Sequence, residues 1–295
     1  VSQRYGEFAG IGANVIAHLS SIQAGIDFAD EFTDIEIETG KYDEIINFNG
    51  KSVSLIGDSI DYPIVLPSQN NIDIITINTN DFYYQASIKN LHIRMYDHPT
   101  QLTAINAIKY ENSSNSMLEN IIIEPKPGST QNDSLIGLSF INSSADLKNI
   151  TVLNPNIDAV IIESSSVNII NGIIDGKIIN SDSSNLNITY SNVLGGYEGE
   201  GNIDFLPKFC EGYYYYLSEE SPCVGSGFEG ANMGAREVGC DEPRSYYEVN
   251  YNLSDDISGF ELFASDGIMY FRDGLVKENN FEIEIFENTI IANSI

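Results

Sequence analysis

Four stretches in the middle of the chain share one layout, and they decide the fold. Each has a short apolar strand, a serine-rich turn and a second strand: Ala107-IKYENSSNSMLENII-Ile123, Gly137-LSFINSSADLKNIT-Val152, Ala159-VIIESSSVNIINGI-Ile174 and Lys177-IINSDSSNLNITYSN-Val193. An earlier copy opens at Asn90. The copies recur about every 30 residues at first and about every 20 later, which is typical of a solenoid whose loops vary in length.

The physical reason for stacking is that one such copy has too few apolar side chains to bury itself. Copies stacked about 4.8 Å apart share a continuous core and pair each strand in parallel with its neighbours. We expect the asparagines that open the second strands (Asn120, Asn149 and Asn187) to form a ladder of amide hydrogen bonds. A β-sandwich is the alternative, but its turns favour Asn-Gly hairpins over serine pairs in register. The sequence therefore predicts an all-β, right-handed parallel β-helix of about six or seven coils.

The flanking sequence predicts a different structure at each end of this body. Ser20 and Gln23 form a capping box that begins an N-terminal capping helix, and a strand with alternating apolar residues follows it at 34–38. After Pro243, alternating runs begin at Tyr246, Gly259, Ile268 and Phe281 and predict a short antiparallel β segment. The expected plan is an N-terminal cap (1–39), the coils (40–205), a closing segment with the cysteines (206–244) and an accessory, incomplete β segment (245–295).

Several quoted stretches resemble, in their order, the pectate-lyase-like superfamily of secreted right-handed β-helix proteins. They are Ser20-SIQAGIDFAD, Ile35-EIETGKYDE, Ile46-NFNGKSVSLIGD, Asn187-ITYSNVLGGYEGEGNID, Tyr214-YYLSEESPCVGSG and Asn232-MGAREVGC. The last three are similar to the final coil and closing segment of bacterial surface members. The resemblance covers about residues 20–242 and implies a secreted or cell-surface protein. One departure is Phe205-LPKFC, which lacks the acidic residue that such closing segments carry before the proline.

The charge balance narrows the set of partners. Lys and Arg total 14 against 43 acidic residues, for a net charge of −29. Such a chain would be repelled by a nucleic-acid backbone, and its carboxylates suit Ca²⁺, a cation that prefers oxygen ligands. No apolar run reaches the roughly 18 to 20 residues that a membrane-spanning helix needs. The partners that remain are a polysaccharide and other copies of the chain, the latter contacted through the C-terminal β segment.

The three cysteines lie close together late in the chain. Cys210, Cys223 and Cys240 form no paired C-x-x-C motif, so zinc is not indicated. Clustered cysteines in an otherwise cysteine-free chain predict one disulfide in an exported protein. Cys210 with Cys223 is the pairing we expect, and Cys223 with Cys240 is the alternative.

Residues able to support polysaccharide chemistry are few. The coil region has no pair of aspartates on one strand, as hydrolysis of a glycosidic bond would need. A polysaccharide lyase needs a base and a cation that neutralises the uronate, such as Ca²⁺ or arginine. If Leu91 and Ile93 point inward, His92 and Arg94 point outward on the same strand, with Lys109 one coil later. Their expected stacked neighbours, Ile122 and Thr151, are poor binding groups.

Two functions follow. The first is a non-enzymatic extracellular or cell-surface scaffold for adhesion, polysaccharide contact or self-assembly, which the scarcity of catalytic groups favours. The alternative is a Ca²⁺-dependent polysaccharide lyase that acts on a uronate-containing polymer, with His92, Arg94 and Lys109 as its candidate catalytic residues. Convergence of these three side chains in one groove would favour the enzyme.

Overall fold

The chain divides into two compact units. The computed structural model describes residues 19, 21–79, 85–96, 103–125, 135–153, 157–210 and 215–240, and the backbone of five further strands at 2–4, 260–265, 268–273, 281–286 and 289–294. Unit 1 comprises Val1–Pro207 and Ser221–Glu237, and unit 2 comprises Lys208–Glu220 and Val238–Ile295. The expected closing segment, 206–244, is therefore shared between the two units.

The described residues of unit 1 form mainly short β-strands, with one α-helix among them, α1, at Ile22–Phe28. Its strands are β1 (Ser2–Arg4), β2 (Asp34–Ile37), β3 (Lys41–Asp43), β4 (Ile46–Asn47), β5 (Ser54–Gly57), β6 (Ile64–Leu66), β7 (Asp73–Ile77), β8 (Ser87–Arg94), β9 (Asn106–Glu111), β10 (Ser116–Glu124), β11 (Ile136–Ile141), β12 (Ser144–Val152), β13 (Asp158–Glu163), β14 (Ser166–Ile170), β15 (Ile173–Ile174), β16 (Lys177–Asn180), β17 (Asn185–Thr189) and β18 (Asn192–Val193).

Two parallel sheets organise these strands. The first has the order β1-β2-β5-β8-β10-β12-β14-β17, with β3, β6, β15 and β18 beside this path, and the second has the order β16-β13-β11-β9-β7-β4. Every pairing in both sheets is parallel except that of β1 with β2. From β7 to β14 the chain alternates between the sheets, and we call the chain from one strand of the first sheet to the next a repeat. The fold is thus all-β with parallel sheets, as expected.

The register of these strands places equivalent apolar residues directly over one another. One inward row of the first sheet has side chains that are at most 1% exposed: Ile35, Leu55, Ile88, Leu118, Leu147, Ile169 and Ile188. In the second sheet the rings of Tyr110 and Phe140 stack with their centroids 4.7 Å apart. Each fully buried aliphatic side chain contributes about 1.5–3 kcal/mol to stability, so the stacked rows form the continuous core.

Helix α1 begins one residue later than the sequence predicts. Its N-cap is Ser21, whose Oγ accepts a hydrogen bond from Ala24 N at 3.1 Å. The prediction that Ser20 and Gln23 form a capping box is wrong, because the Gln23 amide bonds to the backbone of Asn47 instead. The Glu44 carboxylate accepts from the first two helical N–H groups at 2.9 Å each. Glu44, a residue distant in sequence, therefore completes the cap that Ser21 begins, and no local motif could indicate this contribution.

Unit 2 contains two antiparallel strand pairs. They are β19 (Phe260–Ser265) with β20 (Ile268–Asp273), and β21 (Phe281–Phe286) with β22 (Thr289–Ser294). Three of the alternating runs that the sequence shows after Pro243 coincide with β19, β20 and β21. The run that begins at Tyr246 lies outside the described residues.

The disulfide joins Cys210 to Cys240 in unit 2, so both pairings proposed from the sequence are wrong. Backbone bridges of Phe209 with Leu217 and of Leu217 with Val238 bring these two cysteines together. Cys223 belongs to unit 1, is fully buried, and its Sγ lies 3.1 Å from Asn192 Nδ2. Cys223, the cysteine nearest to Cys210 in sequence, is therefore buried in unit 1 and takes no part in the disulfide.

Candidate functional site

The first candidate site is the pair His92 and Arg94 on strand β8. The strand bends at Asn90, whose φ is 57°, and beyond the bend Leu91 and Ile93 enter the core as expected. His92 and Arg94 leave the core on the other side, but they do not reach solvent, since only 1% and 4% of these residues are exposed. They point away from the core as expected, but this outward side of the strand is not open to solvent.

Both side chains converge on a carboxylate that the sequence reasoning missed. His92 Nε2 lies 2.8 Å from Glu124 Oε2, and Arg94 Nε donates to the same oxygen at 3.1 Å. The Tyr96 hydroxyl donates to Glu124 Oε1 at 3.0 Å. Glu124 is paired with Arg94 in the register of β10 on β8. Counting one repeat forward from Arg94 would have found it.

The protonation states of this cluster follow from burial and charge. Burial opposes ionisation of Glu124, but the hydrogen bond from His92, the charge of His92 when it is protonated, the charge of Arg94 and the hydrogen bond from Tyr96 together lower its pKa to about 2. Burial also lowers the pKa of His92, and it outweighs the attraction of Glu124, while the charges of Arg94 and Arg236 act in the same direction as burial. The cluster is therefore a neutral imidazole and a guanidinium held on one ionised carboxylate.

The segment Ser221–Glu237, which we call the strap, closes this side of the first sheet. Beneath it, a row of outward positions is matched in register and buried to 7% exposure or less: Ile64, His92, Ile122, Thr151, Ile173 and Asn192. The predicted neighbours of His92, namely Ile122 and Thr151, are confirmed. The strap residue Ala235 donates its N–H to Thr151 Oγ1 at 2.9 Å. No polymer could reach His92 while the strap is in place.

Lys109 does not join the cluster. It lies on β9 in the second sheet, whereas His92 and Arg94 lie on β8 in the first. Its Nζ is 3.5 Å from Glu111 Oε2 and 3.9 Å from Asp73 Oδ2. The three residues named as lyase candidates therefore do not meet in one groove.

An asparagine ladder lies at the bend between the two halves of the long strands. Asn90, Asn120 and Asn149 have φ of 57°, 57° and 53°. Asn120 Nδ2 donates to Asn90 Oδ1 at 2.9 Å, and Asn149 Nδ2 donates to Asn120 Oδ1 at 3.0 Å. The ladder is confirmed for these residues. It is wrong for Asn187, which lies inside β17 opposite Asn168, and the position that follows Asn149 is Asn171.

A serine ladder lies at the opposite turn, between the second sheet and the first. Each backbone N–H donates to the hydroxyl one repeat ahead: Ser113 to Ser143 (3.1 Å), Ser143 to Ser165 (2.9 Å) and Ser165 to Ser184 (3.2 Å). The hydroxyls of Ser143 and Ser165 also donate to backbone carbonyls. Ser113, Ser143 and Ser165 are buried, and each follows a residue with left-handed backbone, so these three turns share one conformation.

The second candidate site is an open groove of 770 Å³ that runs along the serine ladder. It is lined by Asn112, Ser114, Asn142, Ser143, Ser144, Ser164, Ser165, Ser166, Asp182, Ser183, Ser184 and Asn185. At its rim, exposed Asn112, Asn142 and Ser164 have left-handed backbone (φ 53°, 49° and 50°). Asp182 is the one ionisable residue of the lining. Amide and hydroxyl groups both donate and accept hydrogen bonds, as the hydroxyls of a sugar do.

Comparison with protein-family models and with curated proteins finds no significant match to this chain. Within the described residues, no helix has the length and apolar character to cross a membrane. The described side chains also include no group of three or more His, Cys, Asp or Glu residues placed to hold a metal ion.

Proposed function

We propose that this chain is a right-handed parallel β-helix of the secreted or cell-surface, pectate-lyase-like type, with α1 as its N-terminal cap. We propose further that it is a non-enzymatic scaffold that binds a neutral polysaccharide along the serine-lined groove. The alternation of strands between two parallel sheets supports the β-helix, because a solenoid coil contributes one strand to each sheet in turn. The asparagine and serine ladders support it too, since they require equivalent turns to stack.

The observation that carries the binding proposal is the groove itself. Its lining comes from the turns of successive repeats, so the same kinds of side chain recur at steps of about 4.8 Å. A linear polymer laid along the stack would meet a donor and an acceptor at each step. Asn112, Asn142 and Asn185 present exposed amides there, and Asp182 adds a carboxylate. The fixed serines beneath them pre-organise the rim, which lowers the entropic cost of binding.

The lyase alternative has less support. The histidine and arginine that it would use are buried and bound to Glu124. The groove, which is open, has no cationic residue in its lining. A uronate polymer would place negative charge beside Asp182, in a chain that already carries a net charge of −29. Neutral polysaccharides avoid this repulsion.

The test is affinity electrophoresis of the protein through gels that contain a neutral glucan, xylan or mannan, or a uronate polymer. Retardation by a neutral polymer, with no release of unsaturated oligosaccharides in a parallel assay with Ca²⁺, is the expected result. Asn142→Asp should weaken retardation by about two- to tenfold, because it removes an amide donor and adds charge while tolerating the left-handed backbone.

Asn187→Asp is the matched control, because it makes the same change on an exposed strand position outside the groove. Equal effects of the two variants would show that the groove is not the binding site. Release of unsaturated oligosaccharides would overturn the scaffold proposal and support the lyase. No retardation by any neutral polymer would overturn the binding proposal.

A further inference from the structure

The strap contacts repeats that are far apart in the stack. At one end, Cys223 lies against Asn192, the first residue of strand β18 in the last repeat. In the middle, Phe228 N and Gly234 N donate to the side chain and backbone of Asn171 at 2.8 and 2.7 Å. At the other end, Arg236 Nη1 donates to the backbone oxygen of Ile60, which precedes β6. Five strand-to-strand steps separate β6 from β18, or about 24 Å.

Ala235 and Arg236 make the link to the early repeats. Ala235 donates its N–H to Thr151 on β12, and its carbonyl accepts from the Tyr62 hydroxyl at 2.8 Å. Arg236 is 6% exposed, and its guanidinium carbon lies 3.4 Å from the centre of the Tyr62 ring. A guanidinium stacked on an aromatic ring and shielded from water is a strong contact. One dipeptide therefore joins β12 to the chain before β6, three strands away.

The fit of the strap also requires glycine at two positions. Gly234 has φ of 95°, and a Cβ atom there would lie 2.6 Å from Ile173 Cδ1. A Cβ atom on Gly227 would lie 2.7 Å from Asn171 Oδ1. A side chain at either position would lift the strap from the sheet. The contact between the strap and the sheet therefore depends on these two glycines, and an arbitrary apolar segment could not make it.

In a stack of repeats each unit contacts only its neighbours, so the end repeats can unfold without the middle ones. The strap adds contacts that link repeats that are not neighbours in the stack. We infer that the strap is a clamp that couples the early repeats to the late ones, so that unit 1 opens as one cooperative body instead of fraying from its ends. This inference is independent of polysaccharide binding, because no strap residue lines the groove.

Native-state hydrogen exchange, followed by mass spectrometry in low denaturant, tests the clamp. Three segments report on it: β6 near one end, β10 in the middle and β18 near the other end. In the wild type, the three should open with one common free energy. In Arg236→Ala, exchange of β6 should become about tenfold or more faster relative to β10 and β18, because the loss of a buried charged hydrogen bond frees the early repeats from the strap.

Equal acceleration of all three segments would mean that Arg236 is only a stabilising contact, and it would overturn the clamp. Unchanged exchange would overturn it too, as would separate openings of the three segments in the wild type. Tyr62→Phe keeps the stacked ring and removes one hydrogen bond, so it gives a milder test with the same expected pattern if Arg236→Ala does not fold. Lys148→Ala, an exposed change on β12, is the control and should leave the ratios unchanged.

Discussion

Glu124 is the residue that neutralises the buried guanidinium of Arg94. Its carboxylate is bonded to His92, Arg94 and Tyr96 at once, and its side chain is only 13% exposed. A buried charge is tolerated when it is paired and hydrogen-bonded. Removal of one partner leaves an unpaired buried charge, whose desolvation energy is then no longer offset. The cluster therefore stabilises unit 1 only while all its members are present.

We expect Glu124→Gln to lower the free energy of unfolding by about 3–5 kcal/mol, because it keeps the shape of the side chain and leaves Arg94 without a buried counterion. Chemical denaturation measures this change. Glu119→Gln is the control: Glu119 pairs with Lys89 at 2.8 Å near the surface, where such a pair is worth about 0–1 kcal/mol. Similar losses for the two variants would contradict the special role of Glu124.

The same cluster predicts how stability depends on pH. The pKa of Glu124 falls from 4.5 to about 2 on folding, so its contribution is complete above about pH 4.5 and is lost as the pH falls towards 2. The pKa of His92 is lowered from 6.5, chiefly by burial, so the unfolded chain takes up a proton first and stability also falls as the pH drops through about 6.5. The difference in unfolding free energy between wild type and Glu124→Gln should therefore shrink from pH 4.5 to 2. A difference that stays constant over this range would refute the assignment.

At the scale of the structural element, the bends in β8, β10 and β12 decide how the strands stack. Each bend needs a residue with left-handed backbone, and in β8 and β10 this residue also bonds to the repeats on both sides. Asparagine meets both needs, because it tolerates positive φ better than other non-glycine residues and its amide both donates and accepts. At the start of the ladder, Asn90 Nδ2 donates to the backbone oxygen of Gly57 at 3.1 Å. The two backbones approach so closely here that a Cβ atom on Gly57 would lie 2.0 Å from the backbone oxygen of Asn90.

Asn120→Ala should lower the free energy of unfolding by about 2–4 kcal/mol, from backbone strain together with the loss of the bonds to Asn90 and Asn149. Urea unfolding measures the effect. The control is Asn187→Ala, since Asn187 is exposed on β17 and lies outside the ladder. An equal, small effect of both substitutions would show that the ladder adds little to stability.

At the scale of the whole molecule, the described sides of unit 1 differ in access. One side of the first sheet lies under the strap, where its outward residues are buried. The turns of the serine ladder remain open and form the groove. This contrast explains why a binding role is assigned to the turns and not to His92 and Arg94. The groove and the strap have no residue in common, so substitutions in one leave the other intact.

Much of this architecture follows from periodic features that a sequence displays directly. Serine pairs and apolar alternation recur in each repeat, so the inward rows and the turns that bear Ser113, Ser143 and Ser165 could be predicted. Asn187 was misassigned because the loop lengths change between repeats, and a pattern alone does not say which residue of each repeat occupies the bend. Register, which depends on pairing with the neighbouring strand, places Asn171 at the bend that follows Asn149, and Tyr190 at the bend of the repeat that holds Asn187.

By itself the sequence determined the parallel all-β character, the stacked core and the amide ladder, because these depend on local patterns repeated along the chain. Only the tertiary structure decided the cap of α1, the partner of Cys210, the burial of His92 and Arg94 and the path of the strap. Each of these is a single contact between residues far apart in sequence, such as Arg236 with Ile60 and Tyr62. A contact that occurs once leaves no period in the sequence, and its energy exists only when folding brings the two distant segments together.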